Sequence, residues 1–142
     1  AQRIPNAEIV TDVVVSADGQ LDIAMNRTSQ GSQTVAFAAM STIASGFDGV
    51  LGLVAADFDG DGVLDLAGGA PGANTAAPDA ALIFANTTAI GSDTPALTMR
   101  TAQLFPDEMP SAACSADLNA DGRPDLALIG QVGARISVLA SE

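Results

Sequence analysis

The sequence contains no histidine, and its five basic residues are all arginine, so lysine is absent as well. These gaps remove imidazole acid–base chemistry, Ser-His-Asp and Cys-His nucleophiles, Schiff-base lysines, histidine metal ligands and the lysine of a phosphate-binding P-loop. Tryptophan and tyrosine are missing too, and Phe, at five copies, is the only aromatic. A core without large rings must be layered from small and β-branched side chains. The single cysteine, Cys114, rules out an intrachain disulfide. Its apolar setting, Ala112-Ala113-Cys114, predicts a buried and inert thiol. No stretch approaches the ~20 apolar residues of a membrane-spanning helix, so no membrane insertion is expected.

The 142 residues suit one domain, and a hydrophobic fraction of 48% is enough for a core. Seventeen acids against five arginines give a formal charge of −12. Nucleic acid and anionic membrane are poor partners for such a surface. The acids are mostly Asp, which favours loops and hard-cation sites over a generic solvated face. The opening Ala1-Gln2 is what trimming of a secretory leader, or excision from a longer chain, leaves behind.

Three segments align without gaps: Val14–Ala24, Asp57–Ala67 and Asp117–Ala127. Each ends in Asp-Gly-x-x-Asp-(Ile/Leu)-Ala. Apolar runs precede them (Ile9–Val15, Val50–Ala56, Ser111–Ala116) and follow them (Leu21–Met25, Leu64–Ala67, Leu126–Ile129). A third run comes after a turn (Thr34–Ala39, Ala80–Ala85, Arg135–Ala140). A fourth, Phe37–Ala44 or Ala96–Phe105, lies between repeats, and Gln2–Pro5 resembles a fragment of it. Short runs rich in Val, Ile and Ala between Gly and Pro signals predict strands of an all-β fold. The repeats divide the chain at about 1–36 plus a strand to 47, 48–105 and 106–142.

The second repeat carries the chemistry. Asp57, Asp59, Asp61 and Asp65 stand at positions 1, 3, 5 and 9 of a nine-residue loop, with Val63 able to offer a backbone carbonyl at position 7. Alternate residues of a tight loop can aim carboxylates at one centre, and Gly60 and Gly62 permit the positive φ this needs. Ca²⁺ takes about six to eight oxygens at roughly 2.3–2.6 Å, whereas Mg²⁺ prefers fewer protein ligands and more water. Carboxylates crowded this closely would repel without a cation. The third repeat keeps Asp117, Asn119, Asp121 and Asp125 with the Arg123 carbonyl, and its smaller charge predicts weaker binding. The first has Val14 and Ser16 at positions 1 and 3. It is expected to keep its turn, with Asp18 and Asp22, but to have lost the metal. An EF-hand is excluded because position 12 is Gly68 or Leu128 instead of a carboxylate.

The run Asp57-Phe58-Asp59-Gly60-Asp61-Gly62-Val63-Leu64-Asp65-Leu66-Ala67-Gly68-Gly69-Ala70-Pro71-Gly72-Ala73 resembles an FG-GAP repeat of the integrin α-subunit type, Gly69-Ala70-Pro71 being its GAP portion. The third repeat is similar to the related VCBS-type repeat through Asn119 and Arg123-Pro124-Asp125-Leu126. The resemblance implies β-propeller-type blades: three four-stranded repeats, with Ca²⁺ held in the hairpin between the first two strands of a blade. Two calcium sites follow. It also implies a secreted or cell-surface protein used in adhesion or ligand binding.

The other signals are weaker. Gly68-Gly69-Ala70-Pro71-Gly72 lacks the Lys-Ser/Thr of a phosphate cradle, and its Pro71 suits a turn. Asn26-Arg27-Thr28 and Asn86-Thr87-Thr88 are glycosylation sequons. Asp12, Asp48, Asp79, Asp93 and Asp107 read as surface loop charges, and Arg3, Arg27, Arg100 and Arg135 as solvated or salt-bridged. The expected function is a non-enzymatic calcium-binding module for extracellular adhesion or ligand binding, with a glycan or a protein as ligand. The alternatives are a self-assembling structural subunit or filament, and an accessory part of a polysaccharide- or lipid-degrading enzyme. Three blades are fewer than the four to eight of closed propellers. Self-association, with a homodimer favoured, is therefore expected to complete the ring.

Overall fold

The computed structural model describes residues 12–72, 79–105, 109–132 and 135–140. They form ten strands in three antiparallel sheets, with no helix among the described residues. The first sheet holds β1 (Val13–Ala17), β2 (Gln20–Ala24) and β3 (Ser41–Ala44). The second holds β4 (Leu51–Ala56), β5 (Asp65–Ala70), β6 (Asp79–Asn86) and β7 (Leu97–Phe105). The third holds β8 (Pro110–Ala116), β9 (Asp125–Gly130) and β10 (Ile136–Leu139). Strands adjacent in sequence are neighbours in every sheet.

Alternation decides which side chains go inside. In β2, Leu21 and Ile23 are buried between more exposed neighbours. β5 and β6 are buried almost throughout. The middle sheet is therefore covered on both faces. Its Leu82, Phe84, Ala70 and Ala80 pack with Leu21, Val14 and Ile43 of the first sheet. Its Ala56, Ala67 and Ala81 pack with Leu126, Leu128 and Leu139 of the third, around Phe58. Alanine matters here because it lets the sheets approach closely. At Gly52 even a methyl is too much: the residue lies in a β-bulge at φ +64, and a Cβ there would fall 2.2 Å from the Ala113 backbone nitrogen.

Several expectations need correction. The described sheets have three, four and three strands, so only the second is four-stranded. Thr34–Ala39 is not a strand; only Phe37 makes an isolated bridge, to Asn26. The partner of β2 is Ser41–Ala44. Gly68 and Gly69 belong to β5, which ends at Ala70, just before Pro71. Cys114 is exposed, because the alternation of β8 directs Ala113 to the core and Cys114 to the opposite face. Asp79 is not a loop charge. It is 7% exposed and accepts the Gly72 N–H at 2.7 Å and the Met109 N–H at 2.5 Å. Gln2–Pro5, Arg3 and Asp107 lie outside the described residues.

The larger correction concerns the first repeat. Asp18 (φ 47) and Gly19 (φ 75) form a two-residue turn between Ala17 and Gln20. This is the primed hairpin geometry for which Asp-Gly is suited. Val14 and Ser16 are strand residues there, not loop positions. The ladder of β2 with β3 matches that of β6 with β7, sixty positions on: Leu21↔Ile43 against Ala81↔Gln103, and Ile23↔Ser41 against Ile83↔Thr101. The first sheet thus corresponds to β5, β6 and β7. The ungapped alignment of Val14–Ala24 with Asp57–Ala67 pairs unlike hairpins.

Candidate metal centre

The loop 57–64 joins β4 to β5, and the loop 117–124 joins β8 to β9. Both are built by their own Asp side chains acting on backbone donors. In the second-sheet loop, Asp57 Oδ1 accepts the N–H groups of Gly60 (2.7 Å) and Asp61 (3.1 Å), and its Oδ2 that of Gly62 (2.9 Å). Asp59 Oδ1 accepts Asp61 N–H at 3.2 Å, and Asp61 Oδ1 accepts Val63 N–H at 2.8 Å. The third-sheet loop repeats the pattern. Asp117 accepts Asp121 and Gly122 N–H at 3.1 and 2.9 Å, and Asp121 accepts Arg123 N–H at 2.8 Å. There Asn119 Oδ1 accepts Asp121 N–H at 3.0 Å and its Nδ2 donates to Asp121 Oδ2 at 2.9 Å.

The ninth residue of each loop plays a different part. Asp65 and Asp125 are each 1% exposed. Asp65 Oδ2 accepts Phe58 N–H at 3.0 Å, and its Oδ1 accepts Asn86 N–H at 2.8 Å, fastening the loop to the start of the β6–β7 connection. Asp125 Oδ2 accepts Leu118 N–H at 2.9 Å in the same way. Each carboxylate oxygen has a second lone pair, so these bonds leave acceptor capacity for a cation.

Asp57, Asp59 and Asp61 come together with one carboxylate oxygen each, all within 4.8 Å of one another. Oxygens around one ion at 2.3–2.6 Å can be at most about 5 Å apart, so the spacing suits a hard cation. Three carboxylates are a chemically apt donor set for Ca²⁺. The third-sheet loop has two carboxylates and an amide in the same places. In the first sheet, Asp18 lies at the hairpin tip, while Asp22 Oδ1 accepts the Thr42 hydroxyl at 2.6 Å, so the two make no comparable group.

Two features escaped the sequence reading. One is Asp12, whose Oδ1 accepts Asn26 N–H at 2.8 Å and so stands where Asp65 stands toward Asn86. The other is a duplicated connection, Asn26–Phe37 and Asn86–Leu97. Both follow Asn-x-Thr-x-x-Gly-Ser-x-Thr-x-Ala, and both show the same bonds: Asn Oδ1 to the Thr N–H two residues on (2.9 and 3.0 Å), and Thr Oγ1 to the Ala N–H (2.9 and 2.8 Å). The offset of sixty that relates Asp57 to Asp117 also relates these connections, and that was the available signal. Arg27 links them through Asp93 and the Ser92 carbonyl.

No curated protein and no solved structure matches the chain. Residues 10–68 match a family model described as an FG-GAP-like repeat. The matched stretch contains the first sheet, β4, the whole Asp57–Asp65 loop and the opening of β5. With that match over the first sheet, β4 and the Asp57–Asp65 loop, residues 10–68 carry an FG-GAP-like repeat.

Proposed function

We propose that the chain is a non-enzymatic, calcium-binding module of the β-propeller type that serves ligand binding or adhesion outside the cell or at its surface. The observation that carries this reading is the convergence of Asp57, Asp59 and Asp61 within 4.8 Å on a loop anchored by buried Asp65. Ca²⁺ would be held there by these carboxylates, with Asp65 and the Val63 carbonyl completing the set. A second ion would sit on Asp117, Asn119, Asp121, Asp125 and the Arg123 carbonyl. The ion supplies charge neutralisation and a rigid loop, not bond-breaking chemistry. No turnover on esters, phosphoesters or simple glycosides is expected. Melting the full chain in calcium and in excess EDTA tests the metal, and an unchanged curve would sink the reading. A glycan array in calcium tests the ligand class.

One observation favours a second reading, self-association. In the second sheet, Ala67 and Ala81 are covered by the third. On the outer face of the third sheet, Ile129, Ile136 and Val138 remain 47%, 70% and 53% exposed. Another sheet of the same kind would cover them, and a homodimer could provide it. Native mass spectrometry at low micromolar concentration decides: a doubled mass supports self-association, and a folded monomer refutes it.

A further inference from the structure

Arg100 occupies an irregular place in the second sheet. Ile83 pairs with Thr101 and Phe84 with Met99, so Arg100 is the extra residue of a β-bulge. Bulges re-aim side chains. This one carries Arg100 Nη1 to within 2.7 Å of Asp59 Oδ2, with the Arg100 side chain 51% and the Asp59 side chain 20% exposed. The other oxygen of Asp59 already accepts Asp61 N–H. The oxygen bound by Arg100 is thus the one not committed to the loop's own backbone.

The first sheet shows that the bulge has no need of arginine. Its ladder slips at the corresponding place, between the Ile23↔Ser41 pair and the Asn26↔Phe37 bridge. Sixty positions before Arg100 stands Met40, 65% exposed. What distinguishes the second sheet is the acidic loop beside the bulge.

We propose that Arg100 is a tethered counter-ion of the 57–65 loop that competes with the divalent cation for Asp59 and so sets the affinity of that site. The inference rests on the calcium reading above. Without metal, the guanidinium offsets part of the repulsion among Asp57, Asp59 and Asp61. To use Asp59 Oδ2, an incoming cation must displace Arg100 or bind beside its positive charge, and either route weakens binding. Displacement releases the side chain that the β7 bulge delivers, which couples occupancy of the loop to the outer strand of its sheet. Arg123 also lies against this loop, with its Nε 3.7 Å from where a Gly60 Cβ would be. Its charge is the same in every Arg100 variant, so it leaves the comparison intact.

The test is calorimetric titration of the full chain with calcium chloride at low ionic strength. An Asp121→Ala background restricts the signal to the second-sheet loop. Arg100→Met, which installs the residue of the sister bulge, should lower Kd about three- to tenfold. Arg100→Lys should keep most of the original weakness, and the gap between Met and Arg should narrow as salt rises. Binding of equal strength in the Met and Arg proteins overturns the role of Arg100 and leaves the calcium reading standing. Absence of binding in both overturns the two together. The nuclear magnetic resonance signal of Arg100 Nε–H in the unaltered protein gives an independent readout. It should shift as calcium fills the second-sheet loop, and a signal unmoved at saturation overturns the proposal even if a variant misfolds.

Discussion

The loops 57–65 and 117–125 share one backbone design and differ in three side chains that matter. Where the first has Asp59, Gly60 and Val63, the second has Asn119, Ala120 and Arg123. The bonds of Asp57 to Gly62 and of Asp117 to Gly122 are both 2.9 Å, and those of Asp61 to Val63 and Asp121 to Arg123 both 2.8 Å. The scaffold therefore survives the loss of a carboxylate and the arrival of a Cβ at position 4. What changes is charge and strain. The second-sheet loop has an ion pair from Arg100 to Asp59, whereas Asn119 turns its amide onto Asp121. Two jobs within one motif are thereby separated. The buried ninth Asp anchors the loop to its surroundings, and the alternating residues above it shape the turn and set its electrostatics.

The strongest way to break that division is to remove the anchor. Asp65→Ala strands the buried Phe58 N–H and the half-buried Asn86 N–H, and an orphaned buried donor costs about 1–3 kcal/mol. A loss of about 3 kcal/mol or more is expected in urea unfolding with EDTA present. Asp61→Ala, at an exposed position, should cost under about 1 kcal/mol in the same assay. Equal losses would dissolve the distinction between anchor and ligand.

Next in size is the response to calcium. Free calcium at a hundred times Kd stabilises a one-site protein by about 2.7 kcal/mol. That corresponds to a rise of about 5–10 °C in Tm for a domain of this size. Asp61→Ala should remove more of the rise than Asp121→Ala, because the Asp59-bearing loop holds the larger charge. The reverse order would show that Arg100 outweighs the extra carboxylate.

The electrostatic difference can then be sharpened directly. Asn119→Asp gives the third-sheet loop the charge of its sister and removes the amide bond to Asp121. With EDTA the variant should melt lower than the original. With calcium it should melt higher, with a Kd about three- to tenfold smaller in titration. A parallel drop in both conditions would mean that the loop holds no cation.

The smallest expected effect is steric. Ala120 sits at φ 62, the place where the sister loop has Gly60 at φ 76. A left-handed alanine costs roughly 1–2 kcal/mol, and glycine gives back part of that in unfolded-state entropy. Ala120→Gly should therefore stabilise by about 0.5–1 kcal/mol, and Gly60→Ala should destabilise by a similar amount. Denaturant midpoints in EDTA measure both.

The sequence was legible where chemistry and spacing coincide. Asp57, Asp59 and Asp61 could be read as one group because alternate positions of a tight loop converge. β6 and β10 could be read from apolar runs with turn signals at their ends. The first repeat departs from expectation for a physical reason. Asp-Gly serves a two-residue hairpin turn as well as a nine-residue loop, and Asp-x-Ala followed by apolar residues cannot tell the two apart. Thr34–Ala39 has the short apolar run of a strand, yet Val35 and Phe37 remain exposed, at 65% and 45%, because no neighbouring sheet among the described residues covers them. The apolar setting of Cys114 does not tell which face of β8 a neighbouring sheet covers, and the charge of Asp79 does not tell that its carboxylate is taken inward by the Gly72 and Met109 N–H groups.

Composition by itself determined that this chain has no imidazole or amine chemistry, that strands built of small residues must stack closely, and that its acids are mostly the short-chained Asp suited to turns and hard-cation sites. Those conclusions depend only on functional groups and local geometry. Only the tertiary structure decided that Asp12 takes the place of Asp65 in the first sheet, that Asp65 faces inward to hold Asn86, and that a bulge in β7 brings Arg100 onto Asp59. Each of these joins residues distant in sequence, and their meeting is set by strand register and sheet packing, which no local pattern encodes.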